Sequence, residues 1–397
     1  MSLIDLFKQE EDEMLKTLIS WAEINTYSYN LTGLDQMLTI LKKAFGELAT
    51  SSIEIKELES HQELNYKGEL ETKELGKALS IKLKSHDKPL QKILLMGHMD
   101  TVYPPELGFN KCTRLDSNKL NGPGVADLKG GLVVLLYALK YFQTLEESKR
   151  LAIEIFINPD EEIGSTGSQK YFAELAKNNN IALILEPSLE DGSIAFQRSG
   201  TGNFQFLIKG KAAHVGRNFD DGVNAIVAAS ALAVELHELN KLNGLIVNSG
   251  KINGGGPLNV VADTCVLGVN IRVETIEHIT IAENSIASIL EKVETTHKVK
   301  VERYGSFNRP PKIPNQDLEV LYKLVEESAQ ELGLTISRKK TGGCCDGNNL
   351  FQLGLPNIDS LGVRGANIHS TNEFMCIDSL NERAALLVTI LKKLSHA

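Results

Sequence analysis

Ile93-Leu94-Leu95-Met96-Gly97-His98-Met99-Asp100-Thr101-Val102 is an apolar run that ends in a histidine and a carboxylate two residues apart. It reads as a buried strand delivering two polar side chains to its C-terminal edge. Side chains at i and i+2 of a strand point the same way, so His98 and Asp100 can touch. A carboxylate behind a histidine fixes its tautomer and makes it a better metal ligand. An isolated His-x-Asp at a strand end is most often a satisfied pair, so its meaning depends on what the chain brings beside it.

Two further apolar runs end in a similar way. Leu151-Ala152-Ile153-Glu154-Ile155-Phe156-Ile157 leads into Asn158-Pro159-Asp160-Glu161-Glu162-Ile163-Gly164-Ser165 and a helix over 166–177. Ile181-Ala182-Leu183-Ile184-Leu185 leads into Glu186-Pro187-Ser188. Consecutive carboxylates at a strand end repel unless a cation or a shared proton relieves them, the bland alternative being a solvated acidic turn. Between the first two strands, Leu120-Asn121-Gly122-Pro123-Gly124-Val125-Ala126-Asp127-Leu128-Lys129-Gly130-Gly131 opens an apolar helix over 132–142. It lacks the third glycine of GxGxxG and no apolar strand leads into it, which argues against a dinucleotide site and a nucleotide-dependent oxidoreductase. The glycines instead place Asp127 on a tight turn, where a lone aspartate is most often a helix cap.

Strands alternating with helices predict an α/β fold, a mainly parallel sheet flanked by helices. In such sheets ligands sit beyond the carboxyl ends of the strands, and there His98, Asp127, Glu161, Glu162 and Glu186 converge. A divalent cation explains this clustering best. Aspartate, glutamate and histidine without cysteine suit zinc, or manganese or cobalt where those are available.

The remaining chain frames this core. Helical spacing over 1–24 and 31–48 predicts two packing helices, and short runs at 53–55, 79–83 and 92–96 predict strands. From Ser193 the texture changes: strands over 192–198 and 202–210, a helix over 222–239, strands near 245–252 and 265–273, a helix over 276–293 and a strand over 299–304. This β-α-β-β-α-β order predicts an inserted ferredoxin-like α+β domain. A helix over 318–332, a strand over 334–338, the segment Thr341-Gly342-Gly343-Cys344-Cys345-Asp346-Gly347, a strand over 357–361, a loop holding His369 and a closing helix over 379–394 return to the first style. Residues 1–192 and 307–397 are thus expected to form one discontinuous catalytic, metal-binding domain, with 193–306 inserted.

The chain has 397 residues, and Lys+Arg 42 against Asp+Glu 51 gives 42 − 51 = −9, with a pI near 5.6. No basic run tracks a phosphate backbone, so nucleic acid is not an expected partner. The acidic start, Met1-Ser2-Leu3-Ile4-Asp5, has no basic n-region or apolar h-region, and no stretch approaches ~18 apolar residues. No membrane contact and a cytoplasmic location are expected. Cys112, Cys265, Cys344, Cys345 and Cys376 are odd in number and lack CxxC spacing, which speaks against a disulfide framework.

Taken in register, these blocks resemble the dinuclear zinc exopeptidases and aminoacylases, a family that includes bacterial glutamate carboxypeptidase, acetylornithine deacetylase and succinyl-diaminopimelate desuccinylase. The blocks are Gly97-His98-Met99-Asp100-Thr101-Val102, residues 122–131, Asp160-Glu161-Glu162-Ile163-Gly164-Ser165, Leu185-Glu186-Pro187-Ser188, Ala213-His214-Val215-Gly216 with Gly222-Val223-Asn224-Ala225-Ile226, Asn259-Val260-Val261-Ala262-Asp263, Thr341-Gly342-Gly343 and His369-Ser370. Thr341-Gly342-Gly343, Leu361-Gly362 and the acid Glu186 look closest to glutamate carboxypeptidase.

The resemblance implies two zinc ions per subunit, with cobalt or manganese as substitutes. His98, Asp127 and Glu186 would hold one; Glu162, Asp127 and His369 the other, with Asp127 bridging. Asp100 would support His98, and Glu161 would be the general base. His214 matches a histidine that in dimeric relatives reaches into the partner's site, which implies a homodimer joined through the insert. Arg272 would grip the substrate's carboxylate, and Asn259 would contact the substrate near His214. The chain departs from its relatives at Phe219, where they usually have proline, and at Cys344-Cys345, in place of a Gly-Thr pair. Two thiols there could be oxidation-sensitive or narrow the pocket, with structural burial the simpler role.

The expected activity is amide hydrolysis releasing a C-terminal amino acid, glutamate being the first candidate, from a small peptide or N-acyl amino acid. The alternative enzyme is an N-acyl amino acid deacylase of the acetylornithine type. A catalytically silent binder of small carboxylates predicts loss of Glu161 or of a ligand, and none is missing.

Overall fold

The computed structural model describes residues 2–86 and 88–396. Its central sheet has six strands, in the order Thr50–Lys56, Ala78–Leu83, Leu151–Asn158, Gln91–His98, Ile181–Ile184 and Asn357–Ile358. The last four run parallel; the first two join through antiparallel pairings. The continuous apolar run at 93–96 follows from burial on both faces. Ile93 and Leu95 enter the large core with Leu128, Leu132 and Leu183, whereas Leu94 and Met96 enter a second core with Phe156, Phe172 and Ile184. Each such side chain contributes about 1.5–3 kcal/mol through burial.

Register then decides where the polar ends fall. The strands Gln91–His98 and Leu151–Asn158 pair from Gln91↔Leu151 to His98↔Asn158, so they end level. The strand Ile181–Ile184 pairs up to Met96↔Ile184 and points Leu185 and Glu186 past the same edge. The helix Lys129–Phe142 is pressed onto that edge: a Cβ at Gly131 would stand 2.2 Å from Leu185 O, and one at Gly97 would stand 3.0 Å from the Leu128 and Leu132 side chains. Gly97 and Gly131 therefore serve close helix-on-sheet packing, and Asp127 is carried to the sheet edge as a result.

The insert is a four-stranded antiparallel sheet ordered Leu245–Gly254, Thr264–Val273, Gly200–Lys209 and Lys300–Arg309. Helices Ala225–Glu238 and Ile276–His297 share a core with one face through Phe204, Phe206 and Ile208. In chain order this is second, third, first, fourth strand, the ferredoxin-like arrangement. On the other face lies the hairpin His61–Leu64 and Leu70–Lys73. Its Leu64 packs with Leu207, Val266 and Tyr304, while its backbone exchanges bonds of 3.0 and 3.2 Å with the Gln205 amide.

Several expected elements shift. The segment Ile194–Arg198 pairs in parallel with Arg338–Thr341 and so lies outside the four-stranded sheet. The strand expected over 334–338 starts only at Arg338, because Leu334 and Ile336 pack on the core before the ladder forms. The helix expected over 1–24 is broken at Gln9 and Glu10 into Leu3–Lys8 and Glu11–Ala22, with residue 1 outside the described residues. The hairpin at 61–73 has no apolar alternation and went unpredicted.

Candidate metal centre

The site assembles at the level end of the parallel strands. His98 is buried, with Nε2 3.1 Å from Asp127 Oδ1 and 4.0 Å from Glu186 Oε1. Asp127 turns its other oxygen to His369, with Oδ2 3.4 Å from Nε2, and Glu162 Oε2 lies 3.1 Å from that same nitrogen. One carboxylate thus stands between two histidines, each with a further glutamate beside it. Ligand atoms of His98, Asp127 and Glu162 all lie within 4.8 Å of one another.

Behind them stand the groups that set orientation. Asp100 is fully buried, its Oδ1 3.3 Å from His98 Nδ1. Its two oxygens accept the Glu161 and Glu162 backbone N–H groups at 3.1 Å each, and Oδ2 accepts Ser28 Oγ at 2.7 Å. Asp100 therefore ties the turn that carries Glu161 and Glu162 to the end of the His98 strand. Glu373 does the same for others: Oε1 accepts Ala126 N at 2.9 Å and Asp127 N at 3.0 Å, and Oε2 accepts Gly124 N at 3.2 Å and Tyr103 Oη at 2.6 Å. His369 sits at a left-handed φ of 62°, a conformation few non-glycine residues adopt, in a loop tied to Tyr103 through Ser370 O at 3.0 Å.

The electrostatics of the protein are those of buried acids crowded around two imidazoles. Burial, and then Asp127, push the Glu186 and Glu162 carboxyls above the usual range. Burial pushes Glu161 up to about 8, against the pull of Arg309 and His98. Asp127 and Glu162 lift the His369 imidazole to about 11. For His98, burial acts against the charged form but Asp100 and Asp127 outweigh it. Protons are retained where acids crowd, and a divalent cation relieves the same crowding. The Glu186 Oε1 atom is buried without a hydrogen-bond donor among the described residues, so the donor set of three carboxylates and two imidazoles fits a pair of hard or borderline divalent ions.

Above the centre lies a cavity of about 670 Å³ whose walls include Asp127, Glu161, Glu162, Glu186 and His369 from below and Arg272 from the insert. Arg272 Nε donates to Asn270 Oδ1 at 2.9 Å and Nη1 to Cys344 Sγ at 3.1 Å. His214 and Asn259 are not brought there. They are exposed neighbours on the insert, with Val215 N donating to Asn259 O at 3.0 Å, and neither lines the cavity of its own chain.

Sequence reasoning missed two buried arginines in the cavity wall. Arg309 Nη2 lies 2.8 Å from Glu161 Oε1 and donates to Glu161 O at 2.7 Å and Ser165 Oγ at 3.1 Å. Arg198 Nη2 pairs with Asp359 Oδ1 at 2.6 Å, and Lys312 Nζ meets the other oxygen at 2.8 Å. Arg309 lies in Asn308-Arg309-Pro310-Pro311, which reads as a domain connection. The one available signal was that its strand continues past Tyr304.

The profile of peptidase family M20/M25/M40 matches residues 94–393, more than half of the chain. The chain belongs to this family. Carboxypeptidase G2 of Pseudomonas sp. is 30% identical over 325 residues, 77% of this chain and 74% of the relative. Succinyl-diaminopimelate desuccinylase of Pseudoalteromonas translucida is 26% identical over 327 residues, 75% of this chain and 82% of its own. The crystal structure of a tripeptidase from Staphylococcus aureus superimposes with a TM-score of 0.76 at 26% identity, covering 98% of this chain and 99% of that one. The family is one of metallopeptidases and related hydrolases, as the quoted blocks imply. No helix among the described residues is long and apolar enough to cross a membrane.

Proposed function

We propose that the protein is a two-metal exopeptidase that hydrolyses the amide of a small peptide or N-acyl amino acid and releases a C-terminal amino acid. The observation that carries the reading is Asp127, which offers one carboxylate oxygen to each of two histidine-containing ligand groups under a cavity lined by guanidinium groups. His98, Asp127 and Glu186 would hold one cation, and Glu162, Asp127 and His369 the other, with zinc the first candidate. When bound, such a pair supplies Lewis acidity that polarises the scissile carbonyl and makes water nucleophilic at neutral pH.

The chain's own residues do the rest. Glu161 has a carboxylate beside the ligands and takes the proton of the attacking water, then passes it to the departing nitrogen. Arg309 pairs with Glu161 and holds its orientation. Arg272, with Arg309 near it, receives the substrate's terminal carboxylate, for which a guanidinium fork is suited. Asp100 keeps His98 and the Glu161-Glu162 turn in place without touching the substrate.

His214 and Asn259 complete the site from a second copy in this reading, with the insert as the dimerisation domain, its expected bounds of 193–306 moved to 200–309 because Ile194–Arg198 pairs with Arg338–Thr341 and the last strand runs to Arg309. Two features support that: the strand Leu245–Gly254 is an unpaired sheet edge, and Val234, Ile246 and Val227 beside it are 64%, 62% and 52% exposed. Exposed apolar edges of this kind are usually covered.

The test is hydrolysis of dipeptides and N-acyl amino acids ending in glutamate, ornithine or a neutral residue, using metal-stripped, zinc-reloaded and Glu161→Gln protein. Metal-dependent turnover that falls about 10²–10⁴-fold in the variant is expected. The preferred substrate separates a carboxypeptidase from a deacylase of the acetylornithine type. Tight metal binding without turnover of any substrate would instead indicate a silent carboxylate binder.

A further inference from the structure

Cys344 stands in the cavity wall beside two guanidinium groups. It follows the strand Arg338–Thr341, lines the cavity, and is half-buried, whereas Cys265, Cys345 and Cys376 are buried; Cys112, also half-buried, is outside the cavity lining. Its sulfur accepts from Arg272 Nη1 at 3.1 Å and lies 4.0 Å from Arg309 Nη1. Arg309 meets the sulfur through Nη1 alone, its Nη2 being held by Glu161 O and Ser165 Oγ. A neutral thiol is a weak acceptor for two guanidinium groups, and an anionic oxygen on that sulfur would satisfy them far better.

We propose that Cys344 is a site of peroxide modification whose oxidation closes the seat of the substrate's carboxylate. In the first step Sγ attacks one oxygen of hydrogen peroxide, the O–O bond breaks and an S–O bond forms. The thiol proton leaves with the departing hydroxide as water, the sulfur loses two electrons to the peroxide, and the product is a sulfenic acid. A second peroxide repeats the exchange, giving a second water and a sulfinic acid that releases its proton as sulfinate. A sulfinate has two oxygens sharing one negative charge, like a carboxylate, and it is placed against Arg272 and Arg309. It takes the donors the substrate needs. A dithiol returns the sulfenic acid to the thiol but leaves the sulfinate unchanged.

The inhibitory half of this proposal rests on the carboxylate seat proposed above; the oxidation itself does not. Metal-loaded protein is treated with hydrogen peroxide and sampled for kinetics and for peptide mass mapping, with metal-stripped protein mapped in parallel. Fragment ions of the peptide holding Cys344 and Cys345 should place one and then two added oxygen atoms on Cys344, ahead of Cys345 and of the peptides of Cys112, Cys265 and Cys376, with or without metal. KM should rise by about tenfold or more, the scale of a lost charge-assisted contact. Glutamate affinity measured by calorimetry should fall by the same factor, a readout that needs no turnover. Cys344→Ser protein, whatever its own starting activity, should keep it under the same dose. Inactivation with Cys344 unmodified, loss of activity in Cys344→Ser at the parental rate, or complete oxidation with unchanged KM and glutamate affinity each overturns the proposal. A protein that turns over nothing yet gains oxygen at Cys344 and loses glutamate affinity would refute the hydrolase reading alone.

Discussion

Asp100→Asn removes one charge and almost no volume, and the surroundings of Asp100 fix what that costs. Both carboxylate oxygens accept backbone N–H groups, from Glu161 and Glu162, and Ser28 Oγ donates to one of them. Asparagine has one acceptor oxygen, and its NH₂ group accepts nothing. If the amide oxygen faces Glu161, the NH₂ meets the Glu162 N–H; turned round, it meets the Glu161 N–H and the side of His98. Either way a charge-assisted bond worth about 1.5–3 kcal/mol is lost, and a donor is left facing a donor in a fully buried place.

At about 1.4 kcal/mol per factor of ten this corresponds to roughly 10–150-fold. Mutations behind a metal-bound histidine independently lead one to expect about 10–100-fold weaker metal binding. The two estimates agree, because the displaced turn carries Glu162 and the neutralised side chain supports His98. The assay is competition with a chelator of known affinity, with thermal unfolding in excess chelator to show that the variant still folds. Ser28→Ala removes a donor but strands none, so its effect should be smaller. A folded Asp100→Asn protein whose metal affinity lies within about twofold of the parent would refute the reasoning.

Asp359→Asn removes the carboxylate that pairs with both buried cations, Arg198 and Lys312, and should cost about 3–5 kcal/mol in denaturant unfolding; an unchanged midpoint would contradict this. Burial alone would raise the Asp359 carboxyl, but Arg198 and Lys312 outweigh it and hold it well below the usual range. Its contribution is therefore fully present at neutral pH and is lost only as pH falls below the unfolded value of about 3.9. His214→Ala and Glu161→Gln proteins, each nearly inactive alone, should regain about a quarter of the wild-type rate after mixing and subunit exchange. Random pairing makes half the dimers mixed, with one complete site in each. No recovery in demonstrably mixed dimers would remove the assignment of His214 to the partner's site.

The parts of the centre that were legible in the sequence are those coupled to a local pattern. His98, Glu161, Glu162 and Glu186 each follow an apolar strand within a few residues, and one such residue has an ordinary structural reading, but three strands of one sheet ending in acids or a histidine at the same edge do not. Asp127 could be read because Gly122, Gly124, Gly130 and Gly131 bracket it. Arg309, Asp359 and Glu373 carry no such mark. Arg309 lies 148 residues from Glu161 in the chain and Glu373 lies 246 from Asp127, so their importance appears only when the fold brings those segments together. The strand over 192–198 was misassigned for a related reason. Its alternation is real, but alternation does not say which partner strand it will find.

Glu373 shows why the missing part matters. Its two oxygens take the backbone of Gly124, Ala126 and Asp127 together with the Tyr103 hydroxyl, and that same hydroxyl donates to Ser370 O. Three segments that carry candidate ligands, at 98–103, 122–127 and 369–373, are thereby tied through one buried carboxylate. Burial pushes this carboxyl up to about 7, and the Tyr103 hydroxyl and the Asp127 and Ala126 N–H groups pull the other way. These bonds run between protein groups alone, so the positions of His98, Asp127 and His369 are set by the chain before any cation enters. A centre arranged in that way spends little of its metal-binding energy on ordering loops. It follows that affinity should depend on the buried acids behind the ligands nearly as strongly as on the ligands themselves.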